Sequence, residues 1–276
     1  MRLEFLRLWR ARRPLVAAFS LLFFVALMLV GFYTYAQSKT GGHAEFRYTF
    51  ENRSYFNGLT FALYTFYFGS LLVLPIFAAT EGGAQIAGDT QSGAMKLLLT
   101  RPVERGGIFG GKILVAGIFS TLLVGFLLGL GLLCGLLAVG WGDLDLYPGV
   151  LQMTERHQHL PQEVALRRLA LVWPAASLSL FVPLCMSFWI STWVRSPVNA
   201  VGTAVSLYLM MYVVSEIHFF QELRPWFFTS YMAYWRGLFQ AEIDWAEVSQ
   251  SALRLAGFGF AFLALAFRRF RRREEF

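Results

Sequence analysis

Apolar residues fall in long unbroken blocks along this chain, separated by short clusters of charge. Uncharged runs cover positions 15–36, 59–80, 113–139, 169–194 and 197–215. Each is long enough to cross a hydrocarbon core of about 30 Å as a helix rising about 1.5 Å per residue. A sixth block, 248–267, is interrupted by Arg254, whose long side chain can reach back to the membrane surface. Neither a two-residue alternation nor an internal repeat competes with this pattern. It predicts an all-α integral membrane protein with six transmembrane helices in one membrane domain spanning 1–276.

Composition agrees. Of 276 residues, 57% are hydrophobic, 17% aromatic and only 15% charged, a balance foreign to soluble domains. The first run, 15–36, exceeds the apolar core of a secretory signal, about 7 to 15 residues, and reads as a span.

The net charge of +7 changes the picture only by orienting it. Six spans put both termini on one side, together with the segments around 81–112 and 195. Most of the 24 basic residues fall there: Arg2, Arg7, Arg10, Arg12 and Arg13, then Lys96, Arg101, Arg105 and Lys112, then Arg195, then Arg268, Arg269, Arg271, Arg272 and Arg273. Basic residues are retained on the cytoplasmic side of spanning helices, so both termini are expected inside, in the cell (inner) membrane. The positive balance is topogenic, and no nucleic-acid partner is expected. Leu3, Leu6 and Trp9 suit either an interfacial helix or a solvated basic flank.

Two motifs invite chemistry. "GGIFGGKI" places Gly106, Gly111 and Lys112 like a phosphate-binding loop, but Ile113 stands where a magnesium-holding Ser or Thr is needed, and a membrane span follows. In "ERHQHLPQE", His157 and His159 can supply two metal ligands, with Glu155 and Glu163 near in sequence, but no third ligand is specified. Cys134 and Cys185 lie within spans as packing residues. Gly125-x-x-x-Gly129 and Gly131-x-x-x-Gly135 suit close helix approach, within the subunit or between subunits.

The five clear spans contain no Asp, Glu, Lys, Arg or His. Gradient-driven transporters and intramembrane enzymes normally need one near the midplane. Work must therefore reach this bundle from outside the bilayer, and the largest inward segment is 81–112. There Asp89 and Thr90 suit a helix start. Met95, Leu98 and Leu99 share one face, while Ser92, Lys96 and Thr100 line another, and Pro102 stops the turn. A short amphipathic helix between spans two and three is expected, with a glycine-rich hinge leading into span three.

These residues carry a resemblance. Asp89, Gly93, Leu97 to Leu99, Pro102, Arg105 and Gly111-Lys112 resemble the cytoplasmic loop of the permease subunits of type-2 ATP-binding cassette transporters. That loop typically reads acidic residues, Gly-Thr, a leucine-rich turn, Pro, Arg and Gly-Lys. Ala94 departs from the usual threonine, and the acidic cluster is thinned to Glu81 and Asp89. The resemblance implies a non-catalytic, multi-pass permease that pairs with a second permease subunit, identical or homologous, and with two cytoplasmic ATP-binding subunits. ATP and magnesium would be held by those partners, and no cofactor by this chain. Glu81, Asp89, Gly93, Met95, Leu98, Leu99, Pro102 and Arg105 would form the coupling element. Charge-free, aromatic-rich spans suit export of a lipid-like, peptide or other amphipathic cargo. The competing readings are a membrane-embedded enzyme with a metal site in the outer loop, and a non-transporting scaffold subunit.

Overall fold

A computed structural model describes residues 13–38, 56–95, 105–148, 151, 153–154 and 156–272. Six helices in it are long and apolar enough to cross a membrane. The first, α1 (Arg13–Ser38), touches the bundle mainly through one stripe, Ala17, Leu21 and Val25, spaced four apart so that they share a face.

The second span has three parts: α2 (Gly58–Phe68), a π-helical turn (Gly69–Val73) and α3 (Leu74–Gln91). Proline explains the break. Pro75 has no N–H to give the carbonyl four residues back, which is that of Leu71. The ladder widens there, with Leu74 N–H bonding to Gly69 O, and the Leu71 carbonyl accepts from the Tyr208 hydroxyl at 2.6 Å. The next helices are α4 (Arg105–Ala138), α5 (Gln162–Ser191), α6 (Pro197–Glu216) and α7 (Trp245–Arg272). Helix α5 is the centre of the bundle: it packs against α3, α4, α6 and α7 and is buried from Val182 to Phe188 without interruption.

Glycine sets the closest approach. A Cβ on Gly58 would lie 2.7 Å from the Gly135 carbonyl carbon, and one on Gly135 would lie 2.6 Å from Gly58 O, so α2 and α4 meet backbone to backbone. Gly125 admits the Trp173 indole, whose Nε1 donates to Thr121 O at 2.9 Å. Three of the four glycines in the paired G-x-x-x-G motifs thus serve packing within the subunit; Gly129 faces open space.

The two ends of the bundle differ. We call one the basic face, where α1, α4 and α6 begin and α3, α5 and α7 end. At the opposite, hairpin face, β1 (Leu144–Leu146) pairs antiparallel with β2 (Gln158–Leu160), placing Asp145 opposite His159. Asn57 joins this end to α2. Its Oδ1 accepts from Thr60 N at 2.9 Å as an N-cap, and its Nδ2 donates to Asp143 O at 2.6 Å. Between α6 and α7, three short 3-10 segments (His218–Trp226, Phe228–Tyr231, Tyr234–Phe239) bury Phe228, Trp235 and Phe239.

Three expectations need correction. The helix that carries the second span continues past position 80 to Gln91, and the one that carries the third begins at Arg105 rather than near 113. Glu81, Asp89 and Lys112 therefore belong to long helices rather than to a connecting loop. Asp89 begins no helix; it lies in the closing turns of α3. Gly106 to Lys112 form the first turns of α4 rather than a glycine hinge. The physical reason is that these charges are paired and buried against neighbouring helices, so the α-helix continues through them.

Candidate functional site

A polar seam runs down α3 at the basic face. Glu81, Gln85 and Asp89 recur every four residues and share one side of the helix, all buried. The Gln85 amide donates to the Glu81 carboxylate. Asp89 forms an ion pair with Lys112 of α4, whose side chain is 1% exposed. Removing one partner of a buried pair leaves an uncompensated charge, so this contact commits α3 and α4 to one relative position.

Neighbouring helices fix the seam. Gly82 lies against α5 so closely that a Cβ would fall 2.1 Å from Ser187 Oγ and 2.4 Å from Leu184 O. Gly83 lies close to α6, with the Val201 backbone 3.2 Å from its virtual Cβ. One turn further, the Ser191 hydroxyl accepts from the backbone N–H groups of Ile86 (3.1 Å) and Ala87 (2.8 Å). Helix α3 is thus wedged between α5 and α6 by two glycines and pinned by one serine.

An aromatic knob closes the same end. Phe109 of α4 meets Phe188 of α5 at 5.1 Å and Phe267 of α7 at 5.2 Å between ring centres, both edge to face. Ile86, Met95 and Phe270 complete the cluster. Arg105 donates to Arg271 O at 3.0 Å, tying the start of α4 to the end of α7.

Of the coupling residues expected from the sequence, Glu81, Asp89, Gly93, Met95 and Arg105 all lie at this face. Gly93 has φ +71°, a left-handed conformation that ends α3: Ser92 N bonds to Gly88 O and Gly93 N to Thr90 O. Met95 is fully buried in the aromatic cluster rather than presented on a surface. Leu98, Leu99 and Pro102 lie outside the described residues. Sequence reasoning left Gln85 and Phe109 out of the site, and it read Lys112 only as part of the Gly-Lys match. The four-residue spacing of Glu81, Gln85 and Asp89 was the available signal.

The histidines near the hairpin take another arrangement. His159 Nδ1 lies 2.7 Å from Asp145 Oδ1, and the ring of His157 sits 4.6 Å from that of Tyr147. Among the described residues no group of three or more His, Cys, Asp or Glu side chains is placed to hold a metal ion. The hydrogen bond to Asp145 raises the His159 pKa above its usual 6.5.

Six spanning helices, consolidated at one end by a buried ion pair and an aromatic knob, define a multi-pass membrane protein. The model of the ABC-2 family transporter protein matches residues 1–224, most of the chain, and the chain belongs to that family. It is a transmembrane permease subunit. The matched region ends within the first 3-10 segment, so the rest of that segment, the two that follow and α7 lie beyond it. No curated protein matches the chain.

Proposed function

We propose that this permease is moved from its basic face by two separate cytoplasmic ATP-binding subunits, which hold the nucleotide and magnesium, and that it works beside a second permease subunit, identical or homologous. Its cargo is a lipid-like, peptide or other amphipathic molecule exported across the cell (inner) membrane, with the basic face in the cytoplasm. This chain supplies no catalytic residue or cofactor of its own.

The observation that carries the reading is the length of the second and third spans. Each is 34 residues, or about 51 Å at about 1.5 Å per residue, against a hydrocarbon core of about 30 Å. They extend well beyond their apolar runs, and the charged extensions are locked together through Asp89 and Lys112. A push on the connection between Gln91 and Arg105 would move both rods as a unit. The π turn at Gly69–Val73 is the place where that movement can be absorbed or redirected toward the hairpin face. Closure of the ATPase pair would then bias a two-state equilibrium between inward-open and outward-open bundles.

Replacing Leu98 and Leu99 by Asp tests the coupling assignment. The variant is expected to insert normally and to lose co-purification with its ATPase in mild detergent. Unchanged co-purification would sink it.

A further inference from the structure

The hairpin face holds two adjoining cavities that the coupling does not use. One, of about 180 Å³, lies between the π turn of the second span, the end of α6 and the 3-10 segments, with Leu71, Tyr208, Glu216, Arg224 and Arg236 in its wall. The other, of about 440 Å³, lies between the 3-10 segments and the start of α7 and shares Ser230, Ala233 and Arg236 with the first. Arg236 therefore stands in the common wall, its guanidinium 4.7 Å from the centre of the Tyr67 ring.

Charge of both signs converges on the smaller cavity. Arg224 is oriented by its Nε, which donates to Ser215 O at 2.7 Å; the two terminal nitrogens of the guanidinium fork carry the remaining donors. Glu216 makes no hydrogen bond or ion pair among the described residues and is exposed at the end of α6. Beside these groups the same helices present apolar side chains on the surface of the bundle: Leu72, Met210, Val213 and Ile217. A polar chamber lined by guanidinium and carboxylate groups, with lipid-facing apolar residues alongside, suits an amphiphile better than a small soluble ion.

We propose that this cavity binds the headgroup of a membrane amphiphile carrying a phosphate and an ammonium, with Arg224 and Arg236 gripping the phosphate, Glu216 meeting the ammonium, and the chain lying along α6. As a cargo site it rests on the permease reading; binding of the lipid does not. Guanidinium suits phosphate because its fork matches two oxygens at once. The π turn borders the cavity through Leu71, so a displacement of the second span would reshape the wall that faces the headgroup.

The test uses the full chain in mild detergent without any ATPase. It is incubated with micelles containing phosphatidylethanolamine or phosphatidylglycerol, and bound lipid is counted by native mass spectrometry. The wild type is expected to retain phosphatidylethanolamine in preference. Arg224→Gln should lower that retention by about tenfold, the equivalent of one charge-assisted contact. Arg167→Gln, a solvent-exposed change at the start of α5, should leave it unaltered. Glu216→Gln should erase the preference between the two lipids, and as a change at an exposed residue it serves even where Arg224→Gln yields too little protein. Wild-type retention by Arg224→Gln, or an unchanged lipid preference in Glu216→Gln, would overturn the site. Displacement of the lipid by inorganic phosphate at equal concentration would overturn the amphiphile and leave a soluble-anion site. Because no ATPase is present, loss of the coupling assignment would leave these results standing.

Discussion

The two ends of this bundle solve the same problem, polar groups at the edge of a membrane, by opposite means. At the basic face Glu81, Asp89 and Lys112 lie inside long α-helices, buried and held by partners, with Gly82 and Gly83 bringing α3 close against α5 and α6. At the hairpin face Asn57 and Asp145 are buried too, but many polar groups are exposed or line cavities, and much of the order comes from side chains bonding to single acceptor atoms. Ser179 Oγ donates to Met232 O at 2.8 Å, and Tyr234 OH donates to Ala175 O at 3.0 Å. Arg254 donates to the Tyr231 hydroxyl at 3.0 Å. The first arrangement holds its parts in fixed register, because a buried ion pair and close backbone contacts resist separate movement. The second tolerates rearrangement, because each short segment is held by a few bonds that break one at a time.

The comparison breaks most sharply at Lys112. Lys112→Met leaves Asp89 buried without this partner and should destabilise the protein by about 3–5 kcal/mol, read as a fall in melting temperature in detergent. The double variant with Asp89→Asn should recover much of that loss, since the penalty belongs to the unmatched charge. A recovery no greater than additive would show that the pair does not act as a unit.

Glycine gives the next largest contrast. Gly135→Ala should cost about 1–3 kcal/mol, because the new methyl meets the backbone of α2 and cannot be relieved by a rotamer change. Gly129→Ala, one turn and a half away on a face with nothing within 4 Å, should be neutral or stabilising by up to about 1 kcal/mol. Equal melting temperatures for the two would refute the close α2–α4 crossing.

At the π turn, Tyr208→Phe removes the donor that serves the Leu71 carbonyl. A loss of about 1–2 kcal/mol is expected, with faster hydrogen exchange confined to Gly69–Val73. Exchange that stays slow there would mean that another group satisfies Leu71.

The smallest effect belongs to the hairpin. The His159 pKa is raised in the folded state, so its contribution is complete below the unfolded value of 6.5 and disappears as pH rises through the folded value. Protection of the β1 and β2 amides should fall as the solution is made alkaline from below pH 6.5. His159→Gln should flatten that dependence.

The spans were legible because their information is local: five apolar runs without a charge are visible in any window along the chain. Arg254, read as reaching for the membrane surface, donates to the Tyr231 hydroxyl of the aromatic segment. Helix ends were not legible. Hydropathy assigns Glu81, Asp89 and Lys112 to water, whereas Asp89 and Lys112, 23 positions apart, find each other inside the fold. The hairpin was hidden for a different reason, since its strands are only three residues each and lie within polar loops. Gly93 stood out by family resemblance, yet its physical task is to stop α3 with a left-handed turn.

Helix α1 meets its neighbours along a single narrow stripe, while Leu15, Phe19, Phe23, Leu27 and Val30 point away from the protein. Within this subunit few protein contacts hold it, so its tilt responds to bilayer thickness more readily than that of the closely packed helices. A thinner or thicker host membrane would reposition this first helix before it disturbed the clamped rods behind it, making lipid composition itself a lever on the subunit's shape.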